Sequence, residues 1–228
     1  MFAKNLRHAA KTDYLKQVGH TVGGKSVSQV QFDSMVAQII DLMQLSTDDN
    51  LLDICCGNGI FTKQLASKVK HVTGIDFCQP LVDIAIRDHG ADNIDYHCMD
   101  ARQLEQLEQV APPKFNKIVM YAALQHFKPE DLSLMLNKLS GFIDPKPLLF
   151  IGFVPDRKRK WFFYNTPKRK IEHIVRNTFD RDNFGHWWDS KTLDRICAPF
   201  NLKCSFSDLP QGLHATSYRF NILIQTNE

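Results

Sequence analysis

An α/β fold built on a doubly wound, mostly parallel sheet is predicted by three features of this 228-residue chain. Short apolar, β-branched runs alternate with helix-length segments from about residue 50 to 152, the rhythm of strands joined by crossover helices. Each run is hydrophobic almost throughout, as strands covered on both faces are. The first run leads into a G-x-G turn, and aspartates stand at the ends of the second and third.

The elements follow in order. In SVSQVQFDSMVAQIIDLMQL, residues Phe32, Met35, Val36, Ile39, Ile40 and Met43 keep the i, i+3, i+4, i+7 spacing of one buried helix face. Ser28 and Gln31 fit a capping box at its start. Strands are expected at 50–54, 71–75, 94–98, 117–121 and 147–152, with helices at 59–69, 80–89, 101–110 and 129–140 between them. Pro129, Glu130 and Asp131 suit a first helical turn, where a proline loses no hydrogen bond and carboxylates meet the helix dipole. Beyond 152 the rhythm changes to a basic aromatic segment, a helix near 167–179, the stretch DRDNFGHWWDS and a helix near 190–198. Two final strands, 202–207 and 218–225, are joined by DLPQGLHATS. The simplest division is a single domain over 28–228 with a basic, aromatic insertion near 154–190. Residues 1–27 form either an N-terminal lid, with Tyr14 or His20 turned inward, or a leader.

Composition narrows the classes. A hydrophobic content of 43% with 16 Phe supports a sizeable core and argues against disorder. No run is long enough to span a bilayer, and the N-terminus lacks the apolar stretch of a secretory signal. Asp13 argues against an organelle presequence, so a cytoplasmic protein is expected. Six cysteines stand at 55, 56, 78, 98, 197 and 204 with no C-x-x-C pair and no zinc-ligand spacing to histidine. Reduced thiols and no metal are the reading. The net charge of +3 is uneven: segment 156–170 carries seven basic residues and one aspartate, which leaves the rest of the chain about −3 by subtraction.

The chemistry gathers at strand ends. Gly57 and Gly59 allow a sharp turn and close approach of a ligand, and the helix that follows offers free N–H groups. A plain βα turn has the same glycines. Asp76 lies 19 residues after Gly57, at the end of the second strand, where nucleotide-binding folds hold a ribose. Phe77 is placed to lie against a base. Asp100 follows the third strand, where it accepts from an exocyclic amine, caps the helix at Ala101, or does both. Met99 and Ala101 flank the same position.

LLDICCGNG, GIDF, CMDA and KIVMYAALQHF, taken in order, resemble the class I S-adenosylmethionine-dependent methyltransferases over roughly residues 30–225. That resemblance implies a Rossmann-like methyltransferase fold: a seven-stranded sheet with an antiparallel last strand and helices on both faces. S-adenosyl-L-methionine would lie across the carboxyl ends of the strands. It further implies that Asp76 holds the ribose and Asp100 the adenine. Gly57, Gly59 and the backbone near Cys55 and Tyr121 would meet the methionine part, and Asp53 would order the loop from beneath. Cys55 replaces the family's usual first glycine, a role expected to need a negative φ. The G-x-G-x-x-G of dehydrogenases is absent, because Lys63 and Gln64 follow Phe61 and Thr62, which counts against NAD.

Methyl transfer to oxygen or nitrogen is mostly a matter of alignment and water exclusion. Where a proton must leave, the family architecture places His126 as the base, against the plainer reading of a packing or capping histidine. His20, His186 and His214 have weaker grounds. Trp187 and Trp188 form an aromatic wall or cap the core. The basic segment reads as a surface or lid first, a seat for an anionic small acceptor second and an RNA contact third. The near-neutral remainder argues against RNA. A small-molecule methyltransferase therefore leads. An RNA methyltransferase and a nucleotide-binding regulator without activity are the alternatives.

Overall fold

A computed structural model describes residues 9–110, 114–178 and 184–227. Seven strands form its main sheet: β1 Asn50–Ile54, β2 His71–Asp76, β3 Ile94–Cys98, β4 Phe115–Tyr121, β5 Ile143–Pro155, β6 Leu202–Asp208 and β7 Arg219–Thr226. Their spatial order is β3-β2-β1-β4-β5-β7-β6. Neighbours pair in parallel from β3 across to β5, whereas β7 is antiparallel to both β5 and β6. Strand order reverses between β1 and β4, so loops leaving those strands diverge and open a crevice at their carboxyl ends.

Helices α1 Gln29–Met43, α2 Ile60–Ala66, α3 Gln79–His89, α4 Pro129–Leu139, α5 Pro167–Thr178 and α6 Ser190–Cys197 accompany the sheet. Both sheet faces are apolar because adjacent strand residues point opposite ways. Leu52 and Ile118 join a core with α4 and α6, while their neighbours Leu51 and Val119 join one with α1 and α2. The Ser28–Gln31 capping box forms, and Pro129 opens α4 with Glu130 and Asp131 in its first turn. Residues 101–110 wind as a 3-10 helix kinked at Gln103 rather than as the expected α-helix.

Two irregularities in β5 matter. The strand is longer than expected, and its pairing with β4 jumps from Ile143 to Leu148. Pro145 and Pro147 fall in the skipped stretch, where a missing N–H costs no ladder bond. A second shift separates Ile151 from Val154 in the pairing with β7. It puts Phe153 at φ 63, in the left-handed region.

The basic, aromatic insertion leaves β5 and returns at Trp188. Its neck is closed by an Asp156–Trp188 bridge, with the Arg157 N–H donating to the Trp188 carbonyl at 2.7 Å and the Trp188 N–H to the Pro155 carbonyl at 2.9 Å. Residues 1–8 of the expected lid or leader, and residues 179–183 of the insertion, lie outside the described residues. Among the described residues no helix is long and apolar enough to cross a membrane.

Candidate functional site

The turn after β1 is a series of left-handed residues. Cys55 has φ 62, Gly57 φ 60 and Gly59 φ 78. The expectation of a negative φ at Cys55 is therefore corrected: cysteine here adopts the glycine conformation itself. Such a residue costs about 1–2 kcal/mol, offset by the fixed surroundings of the turn. The next N–H, of Cys56, donates to the Ile75 carbonyl at 3.0 Å, and Cys55 packs against the core beneath β1.

Asp76 ties the turn to β2. It is 6% exposed, and it accepts from the Gly57 N–H at 3.0 Å and the Cys78 N–H at 2.9 Å. Burial raises its pKa against those two bonds. Asp53 lies under the turn and accepts from the Thr62 hydroxyl at 2.6 Å. Burial pushes its pKa up to about 7, with Asp76 adding to the rise and Thr62 opposing it. At the end of β3, Asp100 is already engaged. Arg102 holds both its oxygens through Nε at 3.0 Å and Nη2 at 2.9 Å, and the Arg102 N–H donates to it as a helix cap. That pairing holds its carboxyl below the usual range.

These groups face one cavity of about 290 Å³. Asp53, Cys55, Gly57, Asp76, Phe77 and Asp100 line it together with Ala101, Tyr121 and His126. Two of the expected site residues stand apart from its lining. A Cβ at Gly59 would meet the Tyr96 hydroxyl at 2.5 Å and the Ala85 Cβ at 3.0 Å, so this glycine serves packing against α3 and β3. Met99 is buried in the core, with its N–H on the Asp76 carbonyl at 3.0 Å.

The N-terminal segment walls the cavity from the other side. Asn58 donates through Nδ2 to the Tyr14 carbonyl and to Gln17 Oε1, both at 2.9 Å. Val18 and His20 then line the cavity. His20, not Tyr14, turns inward: the Tyr14 ring meets His89 edge-on at 4.6 Å. His20 lies 5.1 Å from the Phe61 ring and 5.9 Å from Tyr121. Burial lowers its pKa to about 3, with smaller effects from His214 and Arg219.

His126 ends a 3-10 turn after β4 and reaches the cavity from an exposed position. Desolvation by its surroundings, then the Arg219 charge, lower its pKa and keep the ring neutral at pH 7. Trp188 is fully buried and donates through Nε1 to the Leu124 carbonyl at 3.1 Å, so it supports this turn instead of facing a ligand. His186 is attached to the same turn by its N–H, which donates to the Gln125 carbonyl at 2.7 Å.

Arg219, Gln125 and Phe153 went unnoticed in the sequence. Arg219 opens β7, is buried, and donates through Nη1 to the Phe153 carbonyl and to Gln125 Oε1. A lone arginine within the apolar run SYRFNILIQ was the one available signal.

Residues 51–146 match the family model described as a methyltransferase domain. The ubiquinone biosynthesis O-methyltransferase of Coxiella burnetii (strain Dugway 5J108-111) is 30% identical over 118 residues, covering 50% of this chain and 47% of that protein. The human tRNA (uracil-5-)-methyltransferase homolog A is 38% identical over 69 residues, covering 29% of this chain and 11% of that protein. The chain thus spans less than half the length of the curated relatives it matches. Among solved structures, magnesium protoporphyrin IX methyltransferase from Synechocystis PCC 6803 with bound SAH superposes with a TM-score of 0.63 at 15% identity. The match covers 98% of this chain and 93% of that one.

Proposed function

We propose, from the premise that this chain belongs to the class I S-adenosylmethionine-dependent methyltransferase family, that it methylates an oxygen or nitrogen of a small-molecule acceptor. One observation carries the reading: acidic groups at successive strand ends, Asp76 and Asp100, share a cavity with the glycine turn. Their chemistry fits S-adenosylmethionine, whose ribose hydroxyls and adenine amine are donors that carboxylates accept. When bound, that cofactor supplies an electrophilic methyl group on a sulfonium.

The chain's own residues do the rest. Asp76 holds the ribose while its bonds to the Gly57 and Cys78 N–H groups keep the carboxylate in place. Asp100, shared with Arg102, receives the adenine edge beside Phe77 and Ala101. Asp53 and Thr62 stiffen the turn from below, and the backbone at Cys55, Gly57 and Tyr121 borders the methionine part. Residues 14–20 act as the lid, with Val18 and His20 excluding water from the reacting groups. Gly59 and Met99 support the loop from behind. The His126 imidazole takes the acceptor proton, its pKa lowered first by desolvation and then by the Arg219 charge so that the ring is in the basic form at pH 7.

His126→Ala is expected to lower turnover about 100-fold, with the wild-type rate holding down to the lowered histidine pKa and falling below it. Near-full turnover of the variant across a pH series would remove His126 from this role.

RNA is the second reading, favoured by the tRNA-modifying relative and by the exposed aromatics Trp161 and Phe162 beside the basic run Arg157–Arg159. It requires affinity for RNA that falls steeply with salt and a shallower slope once Arg157, Lys158 and Arg159 are neutralised. A cytoplasmic location completes the reading, supported by six cysteines that are all free. Cell fractionation tests it.

A further inference from the structure

Behind the cavity, several polar side chains gather on one strained aromatic residue. Phe153, at φ 63, holds a backbone conformation that bulky residues rarely take. Its N–H is fixed by Asn221 Oδ1 at 2.9 Å, and Asn221 donates onward to Gln38 Oε1 at 2.7 Å. Strain of this kind survives only where neighbours over-determine it, and it collects at ligand sites. Around the Phe153 ring lie Tyr121 at 5.7 Å, His20 at 5.8 Å and His214 at 5.6 Å between centroids. The Arg219 guanidinium covers the ring face at 4.5 Å.

Arg219 is 7% exposed. Its Nη1 is used by the Phe153 carbonyl and Gln125, but its Nε has no hydrogen-bond partner. The Tyr218 side chain lies beside it, and among the other groups that sense its charge burial raises the Tyr121 phenol and lowers the His20, His126 and His214 imidazoles, so none of these four is negative at neutral pH. Among the described residues it forms no ion pair. A buried cation without a counter-charge is costly. The Tyr121 hydroxyl and His214 Nδ1 are also buried without partners. Folded proteins satisfy nearly all such atoms, so three around a single ring mark a place where a ligand completes the bonding.

We propose that this cluster, together with the part of the cavity that His20, Tyr121 and His126 line, is the acceptor seat and that it takes a small aromatic monocarboxylate. The inference rests on the methyltransferase reading, because Tyr121, His20 and His126 line the cofactor cavity as well. One buried positive charge offsets one negative charge, which favours a carboxylate over a dianionic phosphate. A guanidinium matches the planar carboxylate in shape. Arg219 Nε and the Tyr121 hydroxyl are the donors left for its oxygens, and the Phe153, Tyr121 and His20 rings suit a flat body.

Benzoate, benzamide and phenyl phosphate serve as probes, titrated calorimetrically into the full chain with and without S-adenosylhomocysteine. Wild type is expected to bind benzoate at least about tenfold more tightly than benzamide and more tightly than phenyl phosphate. Arg219→Gln should lose about tenfold in benzoate affinity and Arg219→Lys somewhat less, since it keeps charge without the fork. Both variants should keep S-adenosylhomocysteine affinity. Removing an uncompensated charge should also leave the Tm of Arg219→Gln unchanged or higher, whereas a purely structural arginine would lower it. Equal affinity of wild type for benzoate and benzamide, preference for phenyl phosphate, or benzoate affinity untouched in both variants overturns the seat. Absence of S-adenosylhomocysteine binding by wild type strikes the methyltransferase reading instead, and the benzoate comparison still reports on the Arg219 cluster by itself.

Discussion

Where β1, β2 and β3 end, the cavity wall carries Asp53, Asp76 and Asp100. Where β4, β5 and β7 approach it, the wall and the layer behind it carry His20, His126, His214 and Arg219. The first half presents acceptors, suited to a ligand rich in hydroxyl and amine groups. The second presents a buried cation and neutral imidazoles, suited to an electron-rich or anionic molecule. Their difference teaches that one crevice can hold two ligands of opposite character side by side. On the proposed reading each would keep to its own half, because the other half repels or fails to pair with it.

The largest test of that division is Asp76→Ala. It removes the carboxylate proposed to accept from the ribose and also frees the Gly57 and Cys78 N–H groups, so S-adenosylhomocysteine affinity should drop about 100-fold. Asp100→Ala should cost only about tenfold, because Arg102 already occupies that carboxylate. Equal losses at the two positions, read by calorimetry, would break the ranking within the acidic half.

On the opposite wall, His20 ties stability to pH. Its pKa is about 3 in the fold and 6.5 as an ordinary histidine. Between those values the unfolded chain binds the extra proton. Stability is therefore fully present above about pH 6.5 and falls as pH drops toward 3, with a slope of up to about 1.4 kcal/mol per pH unit. Denaturant unfolding of His20→Gln should show a flatter profile over that window. An unchanged slope would mean that another group carries it.

The smallest effect concerns Cys55. Cys55→Gly should stay within about 0.5 kcal/mol of wild type, as relief of the left-handed strain is balanced by backbone entropy. Cys55→Val should cost about 1–2 kcal/mol, because a branched side chain resists a positive φ. Thermal or denaturant unfolding separates them, and equal costs would refute a strained turn.

The two halves also differ in how far they could be read from sequence. The acidic half is written locally: each aspartate sits in or just after a hydrophobic run whose own pattern marks a strand end. Spacing alone therefore placed Asp76 and Asp100 beside the G-x-G turn. The sheet was legible for the same reason, and the capping box at Ser28 marked α1. Two features of the turn escaped this logic. Gly59 packs against Tyr96, and the sign of φ at Cys55 depends on the hydrogen bonds that close the turn. The basic half has no local signature. It joins residues 20, 126, 153, 214 and 219 through the insertion of β7 between β5 and β6 and through a bulge at Phe153. Burial makes Arg219 significant, and burial is a property of the assembled fold.

Titration of S-adenosylhomocysteine into the wild-type chain by calorimetry, with NAD as the control ligand, tests the central claim most directly. The account predicts saturable binding of S-adenosylhomocysteine that Asp76→Ala weakens about 100-fold, and no binding of NAD. Absence of S-adenosylhomocysteine binding, or binding that Asp76→Ala leaves intact, would contradict it.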